Sequence, residues 1–372
     1  MRRRSIAWFI IALAGVAGGI TPAAADELSA VYAKIIANPT DPAANLEYAW
    51  LAEGQGDYKR ALATYERMLI NDPTNKDALA GLQRVRRYIE PAKTQKTWEF
   101  GVASESNPLL VPPPTSSDFY GYGSLAVRDE RVLGGQRWRT NLNLYGQAYA
   151  STTSMDYATL SGDVGPILDI PGTATSFRPA LGAGTAYFDG RLYYGDINAS
   201  GLFEGYLNGA YDWLRLRVGY RSYDPSFTSG AGAYADISGK FALANVFGNS
   251  DALSVSPWLR WSGVSGTPDN GATDFATGLY TEGGANLEYA ANLNDSFGAA
   301  VNLELTDRRY NDIGSGSRED WLVAPGATLT FANLLGPQTD VRLNYTYEWN
   351  QSSQSAHIWQ DQIATLSFVV RR

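Results

Sequence analysis

Over most of the chain, apolar and polar residues alternate in segments of about ten residues, the length of a membrane-crossing strand. In Tyr211–Arg221, Leu216 and Val218 lie on the opposite face from Arg215 and Arg217, because successive strand side chains point to opposite sides. The same period recurs in three further segments, 137–149, 297–306 and 341–350. Strands of a membrane barrel need one apolar and one polar face. The pattern therefore predicts membrane-crossing β-strands.

Fourteen such segments follow one another and predict a mainly β fold, an antiparallel transmembrane β-barrel of about 14 strands over residues 97–372. Their predicted starts are Thr97, Asp118, Arg137, Asp156, Ser176, Tyr193, Tyr211, Gly232, Ala252, Asp274, Ser296, Asp320, Asp340 and Ile358. Odd-numbered connections, including 107–117, 224–231, 263–273 and 310–319, are predicted to be long external loops. Even-numbered connections are predicted to be tight periplasmic turns built on Gly, Asn and Asp, as at 133–135, 208–210, 248–250 and 293–295.

Residues 26–92, which precede the barrel, have a different period. Asn38-Pro39-Thr40-Asp41 recurs as Asp72-Pro73-Thr74-Asn75, 34 residues later, and this is the period of tetratricopeptide repeats. The intervening segment resembles that family, with half-repeats on either side and Pro91 ending the last helix. The residues expected to pack in the repeat are Ala44, Tyr48, Ala49, Gly56, Tyr58, Ala61, Tyr65 and Pro73. The resemblance implies a small all-α domain that either binds a peptide or secretion component, or serves as a spacer or plug.

The first 25 residues have the pattern of a secretory signal peptide. Arg2-Arg3-Arg4 precedes the mostly apolar stretch Ser5–Gly18, and Ala23-Ala24-Ala25 offers the small residues of a cleavage site. The apolar stretch is shorter than the roughly 20 residues that span a membrane as a helix. We therefore expect an exported chain in the outer membrane of a Gram-negative bacterium, with the helical domain in the periplasm.

Composition and charge exclude several classes of function. The formal net charge is −8, and it becomes −11 when the three arginines of the first 25 residues are removed, so nucleic-acid binding is not expected. The chain has no Cys and a single histidine, His357, which is predicted to be a solvated side chain in the last external loop. We find no nucleophile–base pair, phosphate-binding loop or metal-ligand spacing. We therefore expect no enzyme activity, no cofactor and no metal site.

The polar faces of the strands are predicted to line the barrel lumen, because an Arg that faces lipid at mid-depth costs about 2–4 kcal/mol. The charged lumen-lining candidates are Arg137, Arg139, Arg215, Arg217, Arg260, Arg342, Glu204, Glu288, Glu304 and Glu348. One interpretation is that these charges pair with one another and stiffen the wall. The other is a hydrophilic conduit that holds a passing polymer or peptide.

The start of the first strand, Trp98–Val102 followed by Ser104–Pro108, and the last hairpin, Asn350–Phe368, resemble the surface lipoprotein assembly modifier family. Members of that family combine a signal peptide, tetratricopeptide repeats and a 14-strand barrel. The resemblance implies export of proteins or lipoproteins to the cell surface, with outer-membrane lipid and a periplasmic cargo protein or lipoprotein as partners. The alternatives are an exopolysaccharide export pore, with a polysaccharide as the partner of the repeats, and a passive porin or structural barrel.

Overall fold

The computed structural model describes residues 22–89, 92–134, 136–170, 173, 175–207, 210–226, 230–248, 250–265, 278–311 and 317–372. The chain divides into two compact units, Met1–Ile89 and Glu90–Arg372. Residues 1–21, which hold most of the predicted signal peptide, and Pro91 lie outside the described residues. Among the described residues, every helix falls short of a membrane span in its length or its hydrophobicity.

The first unit contains four helices, α1 (Pro22–Ala37), α2 (Pro42–Gly54), α3 (Tyr58–Asn71) and α4 (Lys76–Ile89). Helix α2 begins at Asp41, whose side chain accepts hydrogen bonds from the backbone N–H groups of Ala43 and Ala44. Asp57 caps α3 in the same way, and such caps satisfy amides that have no partner within the helix. Gly56 adopts a φ of 76°, a conformation that costs glycine little, and so permits the tight α2–α3 turn.

Small side chains allow these helices to pack closely. Ala49, Ala61 and Ala78 are fully buried, and the ring of Tyr65 fills the space among them. Of the residues expected to pack in the repeat, Ala44, Tyr48, Ala49, Ala61 and Tyr65 are buried, and Tyr58 is half-buried against Tyr88. Gly56 and Pro73 differ from the prediction, because both lie in exposed turns between helices. The assignment to the tetratricopeptide family stays a prediction.

The second unit is a closed antiparallel β-barrel. Its strands are β1 (Lys93–Glu105), β2 (Asp118–Leu133), β3 (Gln136–Tyr149), β4 (Tyr157–Pro166), β5 (Thr175–Phe188), β6 (Arg191–Leu207), β7 (Ala210–Tyr223), β8 (Ala231–Ala244), β9 (Asp251–Gly263), β10 (Leu279–Asn294), β11 (Phe297–Tyr310), β12 (Arg318–Phe331), β13 (Thr339–Ser352) and β14 (Trp359–Arg371). Strand β4 has a short continuation, Leu168–Asp169, which also pairs with β5. Each strand pairs with its neighbours in sequence, and β1 pairs with β14. The predicted 14-strand barrel with a helical N-terminal region is confirmed.

Twelve of the 14 strands begin within two residues of the predicted position. Strand β1 begins at Lys93 rather than Thr97, because Lys93–Lys96, which lacks alternation, pairs with Val127–Glu130 of β2. Strand β10 begins at Leu279, whereas the predicted start, Asp274, lies outside the described residues. The alternation of apolar and polar residues therefore does not identify the polar ends of the strands.

The lengths of the connections depart from the predicted long–short order at several places. The fifth connection, predicted to be a long loop, is the two-residue turn Asp189-Gly190 between β5 and β6. Both residues have positive φ, 51° and 70°, and Asp-Gly favours this hairpin geometry because its twist matches that of the strands. Three even-numbered connections, 167–174, 245–250 and 332–338, are longer than the predicted tight turns.

The outward face of the barrel is apolar and exposed. Leu216 is 44% and Val218 59% exposed, although both lie mid-strand. Side chains of the same kind are exposed on other strands: Trp98, Phe100, Val102, Leu142, Leu144, Leu160, Leu259, Trp261, Leu305, Leu343 and Tyr345. An exposed apolar surface of this extent is unusual for a protein in water, and it requires another apolar phase or partner around the barrel.

Candidate functional site: the barrel lumen

A cavity of 1120 Å³ lies inside the barrel, and we call it the lumen cavity. Strands β1 to β7 and β14 all contribute to its lining. On β3, β6 and β7 the lining residues alternate along the strand, for example Arg139, Asn141, Asn143 and Tyr145 of β3. The period-2 geometry explains the lining of these three strands, because residues i and i+2 of a strand point to the same side.

Arg139 and Glu204 connect two parts of the wall that are not adjacent. Their side chains lie 2.5 Å apart, although Arg139 is on β3, Glu204 is on β6, and two strands separate them. Arg139 also bonds Glu130 at 2.7 Å, and Arg137 reaches the same carboxylate at 2.8 Å. All four of these side chains are mostly buried, so the group neutralises charge where water is scarce.

Arg215 and Arg217, which both line the lumen cavity, share one carboxylate. Arg217 Nε lies 2.6 Å from Asp236 Oδ2, and Arg215 Nη2 lies 3.7 Å from Asp236 Oδ1. The strand register explains the contact, because Arg217 of β7 is directly opposite Asp236 of β8. Asp236 is buried, whereas both arginines are partly exposed toward the cavity.

A second shared carboxylate joins three consecutive strands. Glu282 of β10 lies 2.9 Å from Arg260 of β9 and 2.7 Å from Arg308 of β11. Both arginines are the register partners of Glu282, so the ladder of strands sets this triad directly. Trp258 Nε1 donates a third hydrogen bond to the same carboxylate at 2.9 Å.

The remaining predicted lumen residues are distributed around the wall. Glu288 lies 3.5 Å from Lys240, and Arg342, Glu304 and Glu348 are half-buried. Four of the ten candidates, Arg139, Arg215, Arg217 and Glu204, line the lumen cavity. Their proposed role in conduction stays a prediction.

Sequence reasoning missed the acidic partners and two arginines of the same face. These are Glu130, Asp163, Arg178, Asp196, Asp236, Glu282 and Arg308. Three of them, Asp196, Glu282 and Arg308, lie an even number of residues from a predicted candidate on the same strand, as Arg308 does from Glu304. Alternation could therefore have found such residues, but the pairing of charges depends on the strand register.

His357 is less solvated than predicted. It ends a short 3₁₀ turn, Ser355–His357, and is half-buried beside Arg318, with 3.3 Å between His357 Nε2 and Arg318 Nη1. Burial and the positive charge of Arg318 lower the pKa of His357 below its usual value. The β13–β14 connection folds back over the start of β12, and this is why the ring has a charged neighbour.

The Ser106-Asn107 turn after β1 is fixed by a carboxylate of β14. The backbone N–H groups of Ser106 and Asn107 donate to Asp361 Oδ1 at 3.0 and 2.8 Å. The Asn107 side chain donates to the carbonyl groups of Val111 and Gln360. Among the described residues, no group of three His, Asp or Glu side chains is arranged to hold a metal ion.

No protein-family model matches the sequence, and no curated protein matches it. Similar solved structures include the outer membrane channel DcaP of Acinetobacter baumannii, with 7% identity over 76% of this chain and 98% of that chain, at a TM-score of 0.45. Pseudomonas aeruginosa OpdK with vanillate has 9% identity over 76% and 99%, at 0.39. Pseudomonas aeruginosa OccK9 (OpdG) has 9% identity over 77% and 100%, at 0.40. The likeness is one of fold alone.

Proposed function

We propose that this protein is an outer-membrane channel through which small hydrophilic solutes diffuse. The observation that carries the proposal is the lumen cavity, 1120 Å³ of space with a polar and charged lining inside a closed barrel. The exposed apolar face supports a location in lipid, because these side chains would otherwise be held in water. The predicted signal peptide supports export to the outer membrane.

Planar-bilayer conductance tests the channel. Purified, folded protein should produce discrete conductance steps in KCl, and a heat-denatured sample should produce none. Migration of an unboiled sample in gel electrophoresis verifies folding, because closed barrels resist detergent until heated. A barrel that shifts on heating, inserts into the bilayer and still conducts no ions contradicts the proposal.

A second function is favoured by the surface of the helical unit. Tyr32, Ile36 and Trp50 are exposed there, although the unit has a closed apolar core, and large exposed apolar side chains often mark interaction sites. This supports export of a protein or lipoprotein, as in the surface lipoprotein assembly modifier family, with the helical unit in the periplasm recruiting cargo. The alternative cargo is an exopolysaccharide, and the surface-labelling test described next also covers it.

Surface labelling separates these functions. Tyr32→Ser and Trp50→Ser should lower the amount of cargo at the cell surface and leave the conductance of the barrel unchanged. Lys34→Ser, on the same helix as Tyr32, is the matched control because its side chain is already polar and exposed. Unchanged cargo in both serine variants contradicts the recruiting role.

A further inference from the structure

The lumen cavity is lined by an excess of positive charge, although the chain as a whole is acidic. The formal net charge of the chain is −8. Among the described residues that line the cavity, ten are cationic and three are acidic. The cations are Lys93, Lys96, Arg128, Arg139, Arg178, Arg215, Arg217, Arg221, Arg371 and Arg372, and the acids are Asp163, Asp196 and Glu204.

Carboxylates behind the lining reduce this excess but do not remove it. Glu130 bonds Arg128 and Arg139, Asp236 bonds Arg215 and Arg217, and Asp340 bonds Arg371. These three acids raise the acidic side chains to six, against ten cations. If the charges served only to pair with one another and stiffen the wall, we would expect one acid for each cation. The excess of cations is therefore not explained by stiffening of the wall.

In the group formed by Arg215, Arg217 and Asp236, the arginines are more exposed than the carboxylate. Asp236 is 2% exposed, whereas Arg215 and Arg217 are 37% and 20% exposed. The shared carboxylate thus lies behind the two guanidinium groups, so the guanidinium groups face the cavity. A cleft that is lined by one sign of charge and has walls of low dielectric constant concentrates ions of the opposite sign.

We propose that the lumen selects anions and binds small oxyanions, that is, carboxylates or phosphates. Guanidinium groups suit this class, because their planar N–H donors match the oxygen pairs of carboxylate and phosphate. Arg215 and Arg217 form the central contact, and the exposed side chains of Arg128 on β2 and Arg371 on β14 extend the cationic surface. The transport part of this inference rests on the proposed channel function, whereas the binding part does not.

The reversal potential in a KCl gradient measures selectivity. The wild-type channel should favour chloride over potassium, and Arg215→Gln/Arg217→Gln should lower that permeability ratio by at least about twofold. Asp236→Asn should raise it, because it removes a negative charge from behind the same arginines. Arg371→Gln, on β14, should also lower the permeability ratio. This variant replaces Arg215→Gln/Arg217→Gln in the test if that β7 variant folds poorly.

Arg191→Gln/Arg309→Gln is the matched control, because it removes the same charge at two exposed arginines that are not among the cavity-lining residues. The control should leave the permeability ratio unchanged. A wild-type channel without anion preference, or equal shifts in the control and in the β7 variant, overturns selectivity while the channel function stands.

Thermal unfolding of the detergent-solubilised protein measures binding independently of conduction. Inorganic phosphate or acetate should raise the unfolding temperature of wild-type protein relative to chloride at equal ionic strength, because a ligand that binds only the folded state stabilises it. The Arg215→Gln/Arg217→Gln variant should lose that increase, and the control variant should keep it. An increase with only one of the two anions identifies whether the site binds phosphates or carboxylates. If neither anion raises the unfolding temperature, the oxyanion site is overturned, whether or not the barrel conducts.

Discussion

At the scale of single residues, burial decides what an ion pair contributes. Arg84 and Glu53 are mostly buried, with Arg84 Nε 2.6 Å from Glu53 Oε2, and Arg84 Nη2 also donates to the Tyr65 hydroxyl at 3.2 Å. Burial, followed by the hydrogen bond to Glu53, raises the pKa of Tyr65, so this hydroxyl stays protonated. The network joins α2, α3 and α4. Lys34 and Glu47 are 3.1 Å apart but exposed, so water competes with their attraction.

Arg84→Ala should therefore destabilise the helical unit by about 3 kcal/mol, because it leaves the Glu53 carboxylate buried without its cation. Lys34→Ala, the matched control, should cost at most about 1 kcal/mol. Hydrogen exchange of the full-length protein, followed on peptides of α2 to α4, measures the local free energy of unfolding. Equal exchange in the two variants would show that the buried network adds no stability.

His357 should titrate below its ordinary value of about 6.5. Its pKa is lowered first by burial and then by Arg318, while Asp320 opposes the shift. A lowered pKa means that the folded state favours the neutral form of the imidazole ring more than the unfolded state does. The stability contributed is therefore present above about pH 6.5 and is lost as the pH falls through the folded-state pKa.

The chain has a single histidine, so protein without an affinity tag gives one imidazole resonance for an NMR titration. The midpoint should lie below 6.5, and Arg318→Gln should raise it because the repelling cation is removed. A midpoint at or above 6.5 in the wild-type protein would contradict the described burial of the ring.

At the scale of elements, side-chain alternation gives each strand two chemically different faces. On β7 the guanidinium groups of Arg215 and Arg217 contact Asp236, and the intervening Leu216 is 44% exposed. Strand starts show a second regularity, because Asp118 and Asp251 accept backbone N–H groups of neighbouring connections, from Thr152 at 2.6 Å and from Val246 at 2.7 Å. Such carboxylates tie the connections to the rim of the barrel.

Leu216→Arg should impair insertion of the barrel, because a cation on the lipid side costs about 2–4 kcal/mol at mid-depth. Arg215→Gln/Arg217→Gln should fold, since glutamine remains polar on the cavity side. The yield of the heat-modifiable form after refolding into detergent or lipid measures both. Normal insertion of Leu216→Arg together with failure of the glutamine variant would reverse the two faces, as a register shift of one residue does.

At the scale of the whole molecule, the two units have separate means of stabilisation. The helical unit has an apolar core made of α1 to α4. Every barrel strand finds its partners within residues 93–371, and the β1–β14 pairing leaves no open edge. The barrel therefore needs its last strand more than it needs the helices.

Deletion of Glu27–Glu90 should leave a heat-modifiable barrel in the outer membrane, because no strand pairing is lost. Deletion of β14, residues 359–371, is the contrasting variant and should abolish that form by exposing the edges of β1 and β13. Outer-membrane fractionation with unboiled gels measures both. Loss of the barrel in the helical deletion would make the first unit part of the folding pathway of the second.

The strand number, most strand starts and the position of the helices could be predicted from the sequence, because they follow from local periods. The alternation of Leu216 with Arg215 and Arg217 needs no distant residue to be recognised. The same holds for the two Pro-containing turns at Pro39 and Pro73, which mark the ends of helices through the backbone limits of proline.

Which charged side chains meet depends on the register of the strands and the closure of the barrel. Asp236 neutralises two arginines because β7 and β8 adopt one particular register. Glu204 reaches Arg139 because their side chains meet over the two intervening strands, β4 and β5. Neither relation is encoded in a local period. The positive excess of the lumen cavity therefore emerged from closure of the barrel, which gathers cations from distant segments of an acidic chain around one space.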